Sequence, residues 1–164
     1  MVLKAIANRR SVRDYKKDDV SDDLVFEIIK AGQFAPSAMH NRAWEFIVIR
    51  DSKTKRTLYE LLGQEFLTEA PVLIVTVTDT AQTELPFQDI AVVSENMMIQ
   101  ATELGLGTVW KNVSEEYIDD VKKLLEIPKN FTCINIIPVG YPATKKVPYT
   151  DKDFDKNKIH LERF

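Results

Sequence analysis

The stretch that most constrains the fold is Pro71-Val72-Leu73-Ile74-Val75-Thr76-Val77. A nearly continuous apolar run of this length, rich in β-branched residues, reads as a central strand buried on both faces. A strand with no wet face needs packing elements above and below it. The longest predicted helix supplies one of them. From Phe87 to Leu104, the residues Ile90, Val93, Met97, Ala101 and Leu104 keep helical spacing, with Ser94 on the same side. Pro86 suits the first turn of that helix, and Met97 and Met98 read as core filler.

The other elements follow from the same periodicities. Leu3, Ile6 and Ala7 predict a short helix over 2–9. Ser21-Asp22-Asp23 opens a second helix, with acids in the first turn where the dipole favours them. Its face carries Leu24, Ile28 and Ala31, flanked by Val25 and Ile29; Gly32 suits its end and Pro36 blocks continuation. Trp44 to Ile49 reads as a strand. Asp51-Ser52 begins a helix with Leu58, Leu61 and Leu62 on its apolar side, and Thr78 to Glu84 reads as a loop. Gly105 suits a left-handed cap, Thr108 to Trp110 a short strand, and Lys111-Asn112-Val113 a connector. Ser114 opens a helix that buries Ile118, Val121, Leu124 and Leu125. Cys133 to Tyr141 is a further strand, closed by Pro142. By itself this alternation of helices and strands suggests parallel pairing.

Composition narrows the function classes. At 164 residues the chain fits one domain with a real core. The net charge of −3 argues against a general nucleic-acid surface. The single cysteine, Cys133, excludes an internal disulfide framework and reads as inert packing. The N-terminus lacks the apolar core of a signal peptide, and no apolar run is long enough to span a bilayer. A cytoplasmic protein without a membrane partner is expected.

The concentrated chemistry lies elsewhere. Arg9-Arg10-Ser11-Val12-Arg13-Asp14-Tyr15 places three arginines and a hydroxyl within five residues. Arginine's fixed fork of donors matches phosphate oxygens, and serine adds a short hydrogen bond. A solvated basic helix end is the bland alternative. The second polar stretch, Ala35 to Ala43, is a donor-rich loop feeding the Trp44 strand, where binding residues tend to sit. His40 has no neighbour at metal-ligand spacing, so no metal site is expected. There is no nucleophile elbow, Walker loop or GxGxxG turn.

Four motifs, in order, resemble the FMN-dependent nitroreductase family: Arg9 to Tyr15; Pro36-Ser37 through Trp44-Glu45-Phe46; Asp89 with the long helix into Gly105 to Trp110; and Pro138 to Pro142 with the closing His160-Leu161-Glu162. The resemblance implies an α+β fold: a three-layer sandwich with a mostly antiparallel central sheet between helices. It implies one nitroreductase-like domain over 1–164, with 142–164 as an extended C-terminal arm exchanged in a homodimer. That arm would explain a charged tail unable to bury itself.

The resemblance also implies FMN as cofactor and NADH or NADPH as electron donor. Arg9, Arg10, Ser11 and Arg13 would hold the FMN phosphate and ribityl chain. Pro36, Ser37 and Ala38 would lie against the isoalloxazine from the other subunit. Trp110, Lys111 and Asn112 would pass the flavin N5 edge, and Lys145 or Lys146 would add to the phosphate grip. The implied activity is ping-pong transfer of electrons to a small organic acceptor, nitroaromatic or quinone-like. The flavin would carry the chemistry, so no catalytic side chain is named.

Several positions depart from the family pattern. His40 stands where Asn is frequent, and Arg42-Ala43 where Gln-Pro is frequent; an arginine there would put a cation near the flavin's polar edge. Val113, in Lys111-Asn112-Val113, stands where a glycine is frequent, and Tyr149 near where an arginine often falls. The chain also lacks a lid insertion. A flavin-binding dimer acting as carrier or sensor, or a member with other flavin redox chemistry, is the alternative.

Overall fold

In a computed structural model, which describes residues 2–164, helices and strands alternate along the chain. They are α1 (Lys4–Asn8), α2 (Asp22–Gln33), β1 (Trp44–Ile49), α3 (Ser52–Leu62), α4 (Phe66–Glu69), β2 (Val72–Asp79), α5 (Pro86–Glu103), β3 (Gly107–Thr108), β4 (Lys111–Asn112), α6 (Glu115–Leu124), β5 (Phe131–Thr132) and β6 (Asn135–Gly140). Short 3-10 turns occur at Ala38–His40, Asp151–Asp153 and Lys156–Lys158.

β2 is the strand its composition demands: all eight residues are buried. Its odd-numbered residues Leu73, Val75 and Val77 join Leu58, Leu62, Phe66, Leu67 and Val121 in one core, under α3, α4 and α6. Val72 and Ile74 join Val25, Ile28, Val93, Met97 and Ala101 in the other, under α2 and α5. Two-residue alternation thus divides one strand between two helical layers. Each buried aliphatic side chain contributes about 1.5–3 kcal/mol.

The strand order is β1-β2-β6-β3, with β4 also on β6 and β5 on β2. Every pairing between these strands is antiparallel. The parallel pairing suggested by alternation is therefore wrong, and the antiparallel sheet implied by the resemblance is right. The register gives the reason. Ile49 at the end of β1 pairs with Leu73 at the start of β2, so the α3–α4 excursion returns the chain to the end it left.

Other boundaries move for local reasons. α2 buries Val25, Ile28 and Gly32, a line one position off the predicted face. Gly32 lies inside the helix; a Cβ there would sit 2.8 Å from Met97 Cγ, so glycine permits the close crossing of α2 and α5. α1 is shorter than predicted and buries none of its residues. Thr78 and Asp79 belong to β2, and Lys111-Asn112 is a strand on β6 and not a connector. The end of α5 is as expected: Gly105 has φ 76°, and the N–H groups of Leu106 and Gly105 return to the carbonyls of Ala101 and Thr102. Cys133 is fully buried, and burial pushes its thiol up to about 11, in keeping with an inert packing role.

That cap delivers Gly107 against Val12. A Cβ on Gly107 would stand 2.7–2.8 Å from three side-chain atoms of Val12, a stiff and buried residue. Gly107→Ala is expected to destabilise the fold by about 1–3 kcal/mol in chemical denaturation. Unchanged stability would show that the Val12 segment is free to shift.

Candidate functional site

The Arg9–Tyr15 segment runs extended along the edge of the sheet. The Val12 N–H donates to the Thr108 carbonyl at 2.8 Å, the Lys16 N–H to Tyr141 at 2.8 Å, and the Ala143 N–H to Asp14 at 2.9 Å. The Tyr15 hydroxyl donates to the Val12 carbonyl at 2.8 Å. Burial raises the Tyr15 pKa and keeps the phenol neutral, as a hydrogen-bond donor. These bonds fix the backbone and leave the cations to the surface.

The four predicted residues of this segment do not converge on one spot. Arg10 lines a cleft of about 170 Å³ with Lys145, Lys146, Gly105 and Gly107. Its guanidinium carbon lies 4.1 Å from the centre of the Tyr149 ring. Arg9 turns to α5, where it pairs with Glu95 at 3.3 Å. Arg13 lines a separate cleft beside Glu65 and Glu69. Ser11 is exposed, with its backbone bridged to Thr108. Lys145 and Lys146 both reach the Arg10 cleft, and Lys146 also approaches Asp14 at 3.7 Å. Three cations around a glycine-lined floor fit a dianionic phosphate.

The second group sits near the other end of α5. Pro36 is exposed, with Ser37 and Ala38 partly buried. The Ala38 N–H donates to Asp89 Oδ1 at 3.0 Å, and the Thr83 hydroxyl to Asp89 Oδ2 at 2.8 Å. The Ser37 hydroxyl accepts from the Arg42 N–H at 3.0 Å. Met39, His40 and Arg42 all have φ between 50° and 57°. Each non-glycine residue there costs on the order of 1 kcal/mol, so the loop holds this shape through its hydrogen bonds. Arg42 points its guanidinium at the Gln33 carbonyl, 2.9 Å away, at the end of α2. His40 is exposed. A cavity of about 680 Å³ opens beside this loop, lined by Ala38, Met39, Asn41 and residues 80–85.

The third group is β4. Lys111 and Asn112 pair with Ile136 and Asn135 of β6, and Trp110 packs against the α2–α5 core. Lys111 is partly buried; desolvation lowers its pKa, and its ammonium donates to the Asn112 carbonyl at 2.7 Å. Behind this strand the buried Asn135 amide donates to the Ser94 hydroxyl at 2.9 Å.

Asp89 belongs to the third motif of the resemblance without a predicted site role, and Asn135 has no place in the predicted set. A signal for Asp89 existed, since it lies four residues before Val93 and so on the buried face of α5. An acid there must find donors. Asn135 gave none, being one polar residue in an apolar strand. Among the described residues no three His, Cys, Asp or Glu side chains cluster as a metal site, and no helix is long and apolar enough to cross a membrane.

Known proteins share this architecture. The chain matches the model of the nitroreductase family over residues 6–65 and 53–141. A relative in Methanothermobacter thermautotrophicus, provisionally named an NADH dehydrogenase/NAD(P)H nitroreductase, is 35% identical over 169 residues, spanning 99% of this chain and 87% of its own. A Staphylococcus aureus protein named NADPH-dependent oxidoreductase is 27% identical, over 99% of this chain and 75% of its own. The solved structure of an FMN-dependent nitroreductase from Clostridium difficile R20291 superposes with a TM-score of 0.91 at 32% identity, covering 98% of this chain and all of the other. On its sequence and its fold, this chain belongs to the nitroreductase family.

Proposed function

We propose that this chain is an FMN-dependent NAD(P)H oxidoreductase that works as a homodimer in the cytoplasm. One observation carries the reading: the phosphate-type cleft of Arg10, Lys145 and Lys146 and the Pro36–Ala38 loop lie toward opposite ends of α5. Residues 89 and 102, which touch these two groups, are separated by about 20 Å of helix rise. A flavin held at both ends would thus take its phosphate grip from one subunit and its loop from another. The surface supports this arrangement. Leu3 just before α1 and Ile6 on it, Phe87 and Val92 on α5, and Phe154, Leu161 and Phe164 of the tail are large apolar residues left exposed. Exposed large apolar side chains of this kind are the sort of surface that a second copy would cover. In this reading the arm of residues 142–164 is tied to its own chain as far as Tyr149, and its remainder lies along the second copy.

The bound FMN would accept hydride from NADH or NADPH and pass electrons on to a small organic acceptor of nitroaromatic or quinone type. The residues of this chain hold and orient. Arg10, Lys145 and Lys146 would neutralise the phosphate, and the exposed Ser11 would be available to the sugar chain. Arg9, paired with Glu95, and Arg13, in the cleft of Glu65 and Glu69, stand outside this direct grip. Pro36, Ser37 and Ala38 form a wall for the ring, kept in shape by Asp89. Trp110, Lys111 and Asn112 would run past the reactive edge, where backbone N–H groups and the Lys111 cation would favour negative charge. Arg42 acts through the loop, because its guanidinium is engaged with Gln33. His40 remains open to the acceptor.

Arg10→Ala removes charge-assisted hydrogen bonds worth about 1.5–3 kcal/mol, so its FMN dissociation constant is expected to rise roughly ten- to a hundredfold by flavin fluorescence titration. Wild-type affinity in that variant would move the phosphate elsewhere.

With donor and acceptor taking turns in one open site, steady-state kinetics with NAD(P)H and a quinone are expected to give parallel double-reciprocal lines. Intersecting lines would contradict the alternating cycle. Absence of turnover with bound flavin would favour a carrier.

A further inference from the structure

We infer that Tyr149 is a positioning residue for Arg10, holding its guanidinium over the ring with no carboxylate on its donors, so that they stay free for an anion. This rests on the reading of the Arg10 cleft as a flavin phosphate site. The neighbouring cations show the contrast. Arg9 has Glu95 as a partner at 3.3 Å, and Lys146 has Asp14 at 3.7 Å. Arg10 lies over a ring, 4.1 Å from its centre. A carboxylate partner would occupy the guanidinium's in-plane N–H groups and cancel part of its charge. An aromatic face attracts the cation without supplying an acceptor oxygen, and leaves its N–H donors available to an anion. A flexible side chain is thereby ordered before the ligand arrives, which lowers the entropy lost on binding.

Tyr149 is itself anchored. Its backbone N–H donates to the Ala7 carbonyl at 2.9 Å, at the end of α1 and only three residues before Arg10. The segment from Ala143 to Tyr149 is therefore tied at both ends, by Ala143 to Asp14 and by Tyr149 to Ala7. Between those ties it carries Lys145 and Lys146 into the same cleft. The tail then contributes an orienting ring as well as two charges, and the grip is complete only when this stretch is docked.

The test is a titration of four proteins, wild type, Tyr149→Leu, Tyr149→Phe and Arg10→Ala, together with the Arg10→Ala/Tyr149→Leu double variant. Each is titrated with FMN and with riboflavin, which lacks the phosphate. Tyr149→Leu is expected to weaken FMN binding roughly two- to fivefold and to leave riboflavin binding unchanged. Tyr149→Phe keeps the ring and should match wild type. In the double variant, loss of the ring should add nothing to the loss of Arg10. If Arg10→Ala weakens FMN binding and Tyr149→Leu does not, the positioning role is wrong and the phosphate site stands. Equal weakening of FMN and riboflavin by Tyr149→Leu would also overturn it, as a general effect on the fold. If Arg10→Ala itself leaves FMN binding intact, the phosphate reading fails and this inference fails with it.

Discussion

The structure depends on the burial of β2 from both sides. A strand with no polar face cannot sit at a surface, so its two sets of alternating side chains each demand a helical layer. α3, α4 and α6 meet one demand, and α2 and α5 meet the other. With the faces of the central strands closed, binding chemistry is left to the sheet's edge and to the loops at its ends. The candidate residues are found there, on the Arg9–Tyr15 edge segment, on the loop before β1 and on β4.

α5 ties those places together. It crosses α2 closely at Gly32, reaches the Ala38 loop through Asp89 near its start, pairs with Arg9 through Glu95, and ends in a glycine cap that delivers Gly107 to Val12. One long helix thus sets the spacing between the cationic cleft and the strained loop. The two groups lie toward opposite ends of that helix, and the proposed homodimer is the arrangement that would bring one group of each kind to a single ligand. The same dimer would cover apolar side chains that are exposed on α1, α5 and the tail.

Much of this was legible from the residues. β2, β1, α5 and the helices around Leu58 and Val121 follow from periodicity, because burial on a face leaves a regular trace. The Arg9–Tyr15 motif suggests an anion grip, with a solvated basic helix end as the alternative, and the fold brings Arg10 alone of its three arginines beside Lys145 and Lys146. What failed has identifiable causes. Strand direction is not written in local pattern; it came from the register of Ile49 with Leu73. β4 has two residues, too few for any period, and α4 has four. The division of the arginines between three environments could not be foreseen, since it depends on where Glu95, Tyr149 and Glu65 fall in space. Arg42 illustrates the same limit: as a residue type it suggested a cation beside the flavin, and the fold gives its guanidinium to a helix end.

The central claim is that the two half-sites together hold a flavin that nicotinamide can reduce. The visible spectrum of the purified protein, before and after NADH or NADPH without oxygen, tests it most directly. The account predicts flavin absorption bands that bleach on adding the nicotinamide and return with air. Bands that persist under both nicotinamides would contradict the donor, and no bands even after adding FMN would contradict the site.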